Sequence, residues 1–242
     1  MIPKIIHYCW FGKADKPEKV KEYIESWKNK LPDFQFMEWN EKRFDINSSS
    51  YVREAYENKK YAFVSDVARM YALYNYGGIY LDTDIEIKKD LKKIIEYGNS
   101  IFGFEMGGAN IMTAFMAFDK GNDIARKMLD YYNSHKFVQS DGSFDITPNT
   151  VILTNILKEK GAVMNNEFQC INDGIKIYPE EYFSAFEMRF YREISTENTY
   201  TVHHFESSWK PKYVRFRFII KKIIIKIIGT DRYKKIYTAI KS

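Results

Sequence analysis

Asp82 and Asp84 flank a single residue at the end of the apolar run Ile79-Tyr80-Leu81. In a regular strand, side chains two apart share a face, so both carboxylates would point the same way and repel unless a cation sat between them. Hard oxygen ligands of this kind suit Mg2+ or Mn2+, which keep coordination positions open for phosphate oxygens. A solvated turn after a strand would accept the same two acids, so the spacing alone leaves both readings open. Ser65-Asp66-Val67-Ala68-Arg69 lies one helix earlier and sets a carboxylate and a guanidinium at i,i+3. That is either a surface pair or a cation placed against an anionic ligand. Gly77-Gly78 closes the helix immediately before the acidic strand. Three acids and an arginine thus fall within one helix-turn-strand unit.

The elements that must position these groups follow from hydrophobic period and turn residues. Lys4–Trp10 reads as a buried first strand stopped by Gly12, and a helix begins near Pro17 and runs to about Asn29. Phe34–Trp39 is a second strand, Tyr51–Asn58 a helix, and Ser65–Tyr76 a helix whose Val67, Met70, Tyr71 and Tyr74 make one buried face. Ile79-Tyr80-Leu81 and Ile85-Glu86-Ile87 are extended, and further strands are expected at Ile101–Glu105, Ile111–Phe118, Ile175–Tyr178 and Tyr200–Phe205. Helices are expected near Asn122–Tyr132 and Val151–Lys160. Strands alternating with helices indicate an α/β sheet, mostly parallel, in which ligands bind beyond the carboxyl ends of the strands, where Asp82 and Asp84 lie.

Composition narrows the function classes. The chain has 242 residues, 45% of them hydrophobic, 29% charged and 17% aromatic, which excludes disorder and collagen-like repeats. Two cysteines, Cys9 and Cys170, cannot frame a disulfide scaffold, carry no zinc-site spacing and fit a reducing cytosol. The start of the chain lacks the pattern of a secretory signal, and no apolar run of about 18 residues would span a bilayer. The net charge is +5, but residues 212–242 alone carry +9, leaving −4 on residues 1–211. A mildly acidic body with a basic tail argues against a nucleic-acid footprint spread over the fold.

Four ordered blocks resemble one known family. They are Ile2-Pro3-Lys4-Ile5-Ile6-His7-Tyr8-Cys9-Trp10-Phe11-Gly12, Ser65-Asp66-Val67-Ala68-Arg69, Tyr74-Asn75-Tyr76-Gly77-Gly78-Ile79-Tyr80-Leu81-Asp82-Thr83-Asp84, and His203-His204-Phe205-Glu206-Ser207-Ser208-Trp209. Together they resemble the glycosyltransferases with a DXD sugar-binding region, family 32 in the usual classification, over about residues 2 to 209. The resemblance implies a GT-A type, Rossmann-like fold that binds a nucleotide sugar and transfers the sugar with retention of configuration. It implies that Trp10 stacks on the base, that Asn40 contacts the nucleoside, and that Asp66 and Arg69 hold the ribose and donor sugar, with Tyr80 in the same donor site. It places Asp82 near the sugar and ribose, Asp84 on the metal, and His204 and Ser207 in the rest of the metal shell. Trp209 falls where an indole reaches the leaving phosphate. The catalytic set is then Asp66, Arg69, Asp82 and Trp209, and the metal set is Asp82, Asp84, His204 and Ser207. His203 and His204 are adjacent and face opposite ways on a strand, so which of them meets the metal stays open.

By the same resemblance the cofactor is Mn2+ or Mg2+, and the donor is a UDP-sugar carrying galactose, glucose or N-acetylglucosamine. The acceptor is a glycan, lipid-linked, in the synthesis of a bacterial capsule or lipopolysaccharide. Glu105, Asn110 and Pro148-Asn149 lie where the family contacts sugar and acceptor, and each reads equally as a turn or surface residue. His7 reads equally as a buried strand histidine.

The tail, residues 212–242, divides from a catalytic domain at residues 1–211. As a helix it aligns Phe216, Ile220, Ile223, Ile224 and Ile227 in one stripe, flanked by Arg215, Arg217, Lys221, Lys222 and Lys226. That pattern suits an interfacial helix on anionic lipid at the cytoplasmic face of the cell membrane, or a helix docked on the body with snorkelling lysines. Two competing readings complete the set. A haloacid-dehalogenase-like phosphatase also ends a strand in Asp-X-Asp, but its later Lys and paired-acid motifs do not follow in order. A non-catalytic sugar-nucleotide or glycan-binding protein at the membrane fits the aromatic content.

Overall fold

The apolar run after Pro3 forms strand β1 (Ile5–Cys9), and the chain then returns through helix α1 (Glu18–Lys30) to a parallel neighbour, β2 (Gln35–Trp39). This computed structural model describes residues 1–96, 98–206 and 212–241, the side chains of residues 173, 212–215, 238 and 240–241 excepted. Helix α1 has Glu18 in its first turn and Lys28 and Lys30 in its last, each complementing the helix dipole, and it buries Ile24 and Trp27. Helix α2 (Ser50–Glu57) is capped by the Ser49 hydroxyl, which accepts from Val52 N at 3.2 Å and is worth about 1 kcal/mol. Helix α3 (Tyr61–Tyr76) starts one turn earlier than the sequence period suggests and stops at Gly77, whose φ of 67° ends the helical path.

Strand β3 (Gly78–Leu81) pairs parallel with β1. Its Ile79 and Leu81 pack into the core cluster on one face of the sheet, while Tyr80 packs into the cluster on the other. Helices cover both faces, which is why every residue of this strand is buried. Strand β4 (Ile85–Ile87) leaves the main sheet, and short helix α4 (Lys92–Ile95) leads to β5 (Ser100–Glu105).

The expected strand over residues 111–118 is two: β6 (Asn110–Ile111) and β7 (Phe115–Phe118), both antiparallel to β5. Between them Met112 N still bonds Gly103 O at 2.9 Å, but the carbonyls of Thr113 and Ala114 are drawn off to Arg69 and Asp82. Helices α5 (Asp123–Ser134) and α6 (Asn149–Glu159) cover the α3 side, and β8 (Gln169–Ile171) and β9 (Ile175–Tyr178) finish the sheet. The strand order is β2-β1-β3-β7-β5-β9-β8, with β6 beside β5. Pairing is parallel across β2-β1-β3 and at β5-β9, and β7 is inserted antiparallel between the two halves.

After helix α7 (Glu180–Phe183) and the ladder of β10 (Phe186–Glu187) with β11 (Arg192–Glu193), strand β12 (Thr201–His203) pairs antiparallel with β4. Helices α8 (Lys212–Ile228) and α9 (Thr230–Lys241) then form a hairpin turning at Gly229, φ 82°. Ile225 is buried, Phe190 packs edge-on against Tyr233 and Tyr237, and Lys221 lies over the Tyr191 ring, so one side of the hairpin seats on the body. The other side keeps Phe216, Ile220, Ile223, Ile224 and Ile227 exposed. Among the described residues no helix is long and apolar enough to cross a membrane.

Candidate functional site

His7 fixes the frame from which the acidic strand starts. Trp39 Nε1 donates to His7 Nδ1 at 3.0 Å, so the proton of the neutral ring sits on Nε2 and is donated to Gly77 O at 2.7 Å. Burial lowers its pKa to about 4, which keeps the ring neutral. One side chain thereby ties β1, β2 and the α3–β3 turn together, and His7 is structural. Gly78 has φ 102° and its Cα packs so close to β1 that a Cβ would lie 2.6 Å from Ile5 O.

The residues from α3 and β3 meet in one buried network. The Arg69 guanidinium reaches Asp66 Oδ1 from Nη2 at 3.0 Å and Asp82 Oδ1 from Nη1 at 3.3 Å. Nη1 also donates to Thr113 O at 3.0 Å, and the group lies 4.5 Å from the Tyr80 ring centroid. The Tyr80 hydroxyl donates to Asp82 Oδ1 at 2.8 Å. Asp66 accepts from Asn149 Nδ2 at 2.6 Å, and the Thr113 hydroxyl donates to Asn149 Oδ1 at 2.9 Å. Burial pushes the Asp66 carboxyl up to about 6 against the pull of Arg69, and the charge of Asp82 adds to the rise. Arg69 itself stays cationic, its pKa raised as Asp82, Tyr80 and Asp66 outweigh the effect of burial.

Of the strand and the turn that the spacing left open, Asp82-Thr83-Asp84 is a turn, closed by Ile85 N donating to Asp82 O at 3.0 Å. The carboxylates converge all the same, because β12 is bonded alongside β4. Asp84 Oδ2 accepts from Glu206 N at 2.8 Å, Asp84 O accepts from His204 N at 3.2 Å, and Asp84 Oδ1 lies 3.5 Å from His203 Nε2. Ligand atoms of Asp82, Asp84 and His203 all lie within 4.8 Å of one another.

The histidine beside the acids is therefore His203. His204, placed in the metal shell by sequence resemblance, turns to the other side of the strand, where Nε2 meets Glu86 Oε2 at 3.0 Å and the ring stacks on Tyr23. Register decides this: His203 pairs with Ile85, next to the acid turn, and strand neighbours alternate. The Asp84 carboxyl is held below the usual range by His203 and by its hydrogen bonds, against its own burial. His203 is raised, because Asp84 and its other acidic neighbours overcome the burial that would lower it. His203 Nδ1 is buried with no hydrogen-bond partner. Two carboxylates and an imidazole with an unsatisfied nitrogen are a donor set that fits a divalent cation of the Mg2+ or Mn2+ kind.

Trp10 and Asn40 stand beyond the carboxyl ends of β1 and β2, at the same edge of the sheet as Asp82. Their polar groups have local partners: Trp10 Nε1 donates to Ala14 O at 2.7 Å, and the Asn40 amide bonds Glu38 and the Lys42 backbone. Ser207 and Trp209 lie outside the described residues. Asn149 is the first residue of α6 and buried, so it belongs to the Asp66 network and not to a surface loop. Glu105, at the end of β5, is buried with its pKa raised by burial, and its charged neighbours are His203, Asp82 and Glu180. Thr113 went unnoticed in the sequence, because no spacing rule links a residue between two short strands to an arginine 44 positions earlier.

The fold is an α/β fold of the GT-A type, with the acid turn beyond the carboxyl ends of its strands. Residues 17–101 match the family described as "Glycosyltransferase sugar-binding region containing DXD motif", and Asp82-Thr83-Asp84 is the DXD of that segment. Inositol phosphoceramide mannosyltransferase 3 of Schizosaccharomyces pombe is 30% identical over 122 residues, 44% of this chain and 34% of that protein. The uncharacterized glycosyltransferase L373 of Acanthamoeba polyphaga mimivirus is 27% identical over 156 residues, 62% of this chain and 61% of that one. The chain thus spans between a third and three fifths of the length of these relatives. Among solved structures, a glycosyltransferase involved in glycosylation of the major capsid of PBCV-1 superposes with a TM-score of 0.53 at 8% identity, covering 91% of this chain and all of that one. The PaToxG glycosyltransferase gives 0.50 at 20% identity, covering 66% and 69%. At these identities the two structures speak for the fold.

Proposed function

We propose that the protein is a metal-dependent, retaining glycosyltransferase that moves a hexose from a UDP-sugar to a glycan acceptor. The observation that carries this reading is the convergence of Asp82, Asp84 and His203 beside the Asp66–Arg69 network, at the strand ends where an α/β sheet binds nucleotides. Asp84 and His203, with Asp82, would hold Mn2+ or Mg2+. The bound ion supplies positive charge for the diphosphate of the donor. Arg69, locked by Asp66, Asp82 and the Thr113 carbonyl, holds a fixed cation beside the position where negative charge grows as the glycosidic bond breaks. Asp66, kept in place by Asn149 and Thr113, presents its carboxylate to ribose or sugar hydroxyls. Trp10 would stack on the base after giving up its local bond, and Trp209 and Ser207 would complete the phosphate and metal contacts.

Residues 1–211 are the catalytic unit in this reading, and the tail seats it on a membrane. The exposed stripe of α8, with Ile227 76% and Phe216 61% accessible, is flanked by lysines and arginines and suits anionic lipid at the cytoplasmic face. A lipid-linked glycan of a bacterial surface polysaccharide is an acceptor consistent with that seat, and the S. pombe relative, by its name, likewise acts on a lipid.

The test is release of nucleotide diphosphate from a panel of nucleotide sugars, with and without Mn2+, by the native chain and by Asp84→Ala. Release that needs both the metal and Asp84 supports the transferase. Donor bound intact, with no release even when glycan acceptors are supplied, would favour a binding protein.

A further inference from the structure

Between the C-terminal hairpin and the body lies an open cavity of about 500 Å3. Its floor is the segment after β12: the peptide N–H groups of His204 and Glu206 bond Asp84, while the two side chains line the cavity. The cavity therefore sits directly behind the acid turn, on the side of the strand opposite to His203.

Its charge is unbalanced. Among the described residues Lys19, Lys222 and Lys226 line it against a single carboxylate, Glu206, which is already paired with Lys19. The His204 ring is satisfied by Glu86. Lys222 and Lys226 stand one helical turn apart on α8 with no acidic partner among the described residues, and Lys222 Nζ lies 5.2 Å from the Tyr191 ring centroid. Two unneutralised ammonium groups in a concave site match the charge of about −1.5 to −2 on a phosphate monoester at neutral pH. Phe186 and Ile225 add an apolar surface that a sugar or polyol carbon skeleton can cover.

We propose that this cavity is a binding site for a phosphate monoester borne by a sugar or polyol. Helix geometry indicates which side the phosphate comes from. At about 100° per residue, Lys222, Ile225 and Lys226 share one side of α8, and the exposed Ile220, Ile223, Ile224 and Ile227 point about 150° away. A bilayer beneath that stripe would keep its own phosphates about a helix diameter, roughly 10 Å, from the cavity. The ligand phosphate therefore arrives from the water side, free or on a glycan. This site is independent of the donor chemistry proposed above.

Calorimetric titration of the full chain in EDTA with glycerol 3-phosphate and with inorganic phosphate tests the site. A saturable Kd of about 1 mM or tighter is expected. It should weaken at least about tenfold in Lys222→Gln/Lys226→Gln, hold in Lys226→Arg, and be unchanged by Lys136→Gln in the exposed segment after α5, outside the cavity lining. Circular dichroism checks that the hairpin is retained. Absence of saturable binding, or equal binding by the double variant, overturns the site. Phosphatidic acid vesicles that bind through these two lysines, when neither soluble phosphate does, overturn its water-side source.

Discussion

Asp66→Asn isolates the electrostatic tension in the buried network. The Asp66 carboxyl is enclosed by Arg69 and Asn149, yet burial, with the like charge of Asp82 nearby, raises its pKa from 3.8 to about 6. That rise corresponds to about 3 kcal/mol. The folded chain binds the proton more tightly than the unfolded one. The contribution is therefore most favourable below about pH 4, is lost as pH rises through 6, and is level above that. About half of the loss, roughly 1.4 kcal/mol, falls between pH 5 and 7. Asn keeps the size and the contact with Arg69 but has no proton to lose. Relative to Asp66→Asn, the native chain should therefore lose about 1.4 kcal/mol from pH 5 to 7, whatever constant offset separates the two. Urea unfolding in EDTA, followed by tryptophan fluorescence, would show this as a shift of about half a molar in the difference between midpoints. Parallel midpoints would refute the reasoning. That outcome would mean that pairing with Arg69 offsets burial, since a carboxyl at or below its usual pKa is ionised in both the folded and the unfolded chain from pH 5 to 7.

Further expectations follow from the same geometry. Asp84→Asn removes the carboxylate that meets both His203 and the Glu206 amide, and should weaken Mn2+ binding by about 100-fold or more in calorimetry while the chain stays folded. His203→Gln should weaken Mn2+ binding comparably, and His204→Gln should change it little, since His204 is bound to Glu86 on the other side of the strand. Because His203 is raised above 6.5, it must shed a proton to ligate; Mn2+ affinity should fall about tenfold per pH unit below its pKa, with proton release visible as a buffer-dependent heat. Gly78→Ala forces a Cβ to within 2.6 Å of Ile5 O at φ 102°, and should cost about 3 kcal/mol in urea unfolding.

What the sequence makes legible is what local spacing determines. Asp66 and Arg69 are i,i+3 on one helix, Tyr80 and Asp82 are two apart at a strand end, and the Gly77-Gly78 stop is written in the residue types, so this half of the site reads directly. The other half depends on register between distant segments. His203 faces the acids because it pairs with Ile85, and nothing in His203-His204 itself records that pairing. The break between β6 and β7 is equally non-local: an arginine on α3 takes the Thr113 carbonyl and the Asp82 amide takes that of Ala114, and a continuous apolar run shows neither demand. The amphipathic tail was legible as a pattern with two outcomes. In the structure one side of the hairpin seats on Phe190 and Tyr191 while the isoleucine stripe faces outward.

The two acids of the DXD turn ride on different ladders, and this explains how like charges are held together. Asp82 follows β3 of the main sheet, and its amide is fixed by Ala114 O at 2.9 Å. Asp84 precedes β4, whose only strand partner among the described residues is β12. Helix α1 clamps that minor ladder to the body: Trp27 Nε1 donates to Ile85 O at 2.8 Å, and the Lys30 ammonium bonds Ile87 O. Ile85, Ile87, Trp27 and Ile24 are buried together with Leu81 and Phe115, each burial worth about 1.5–3 kcal/mol. That apolar contact, rather than any attraction within the turn, brings the carboxylates and His203 to within 4.8 Å of one another. The repulsion left between them is what a divalent ion would relieve, so the hydrophobic packing of α1 against β4 sets the charge density of the site.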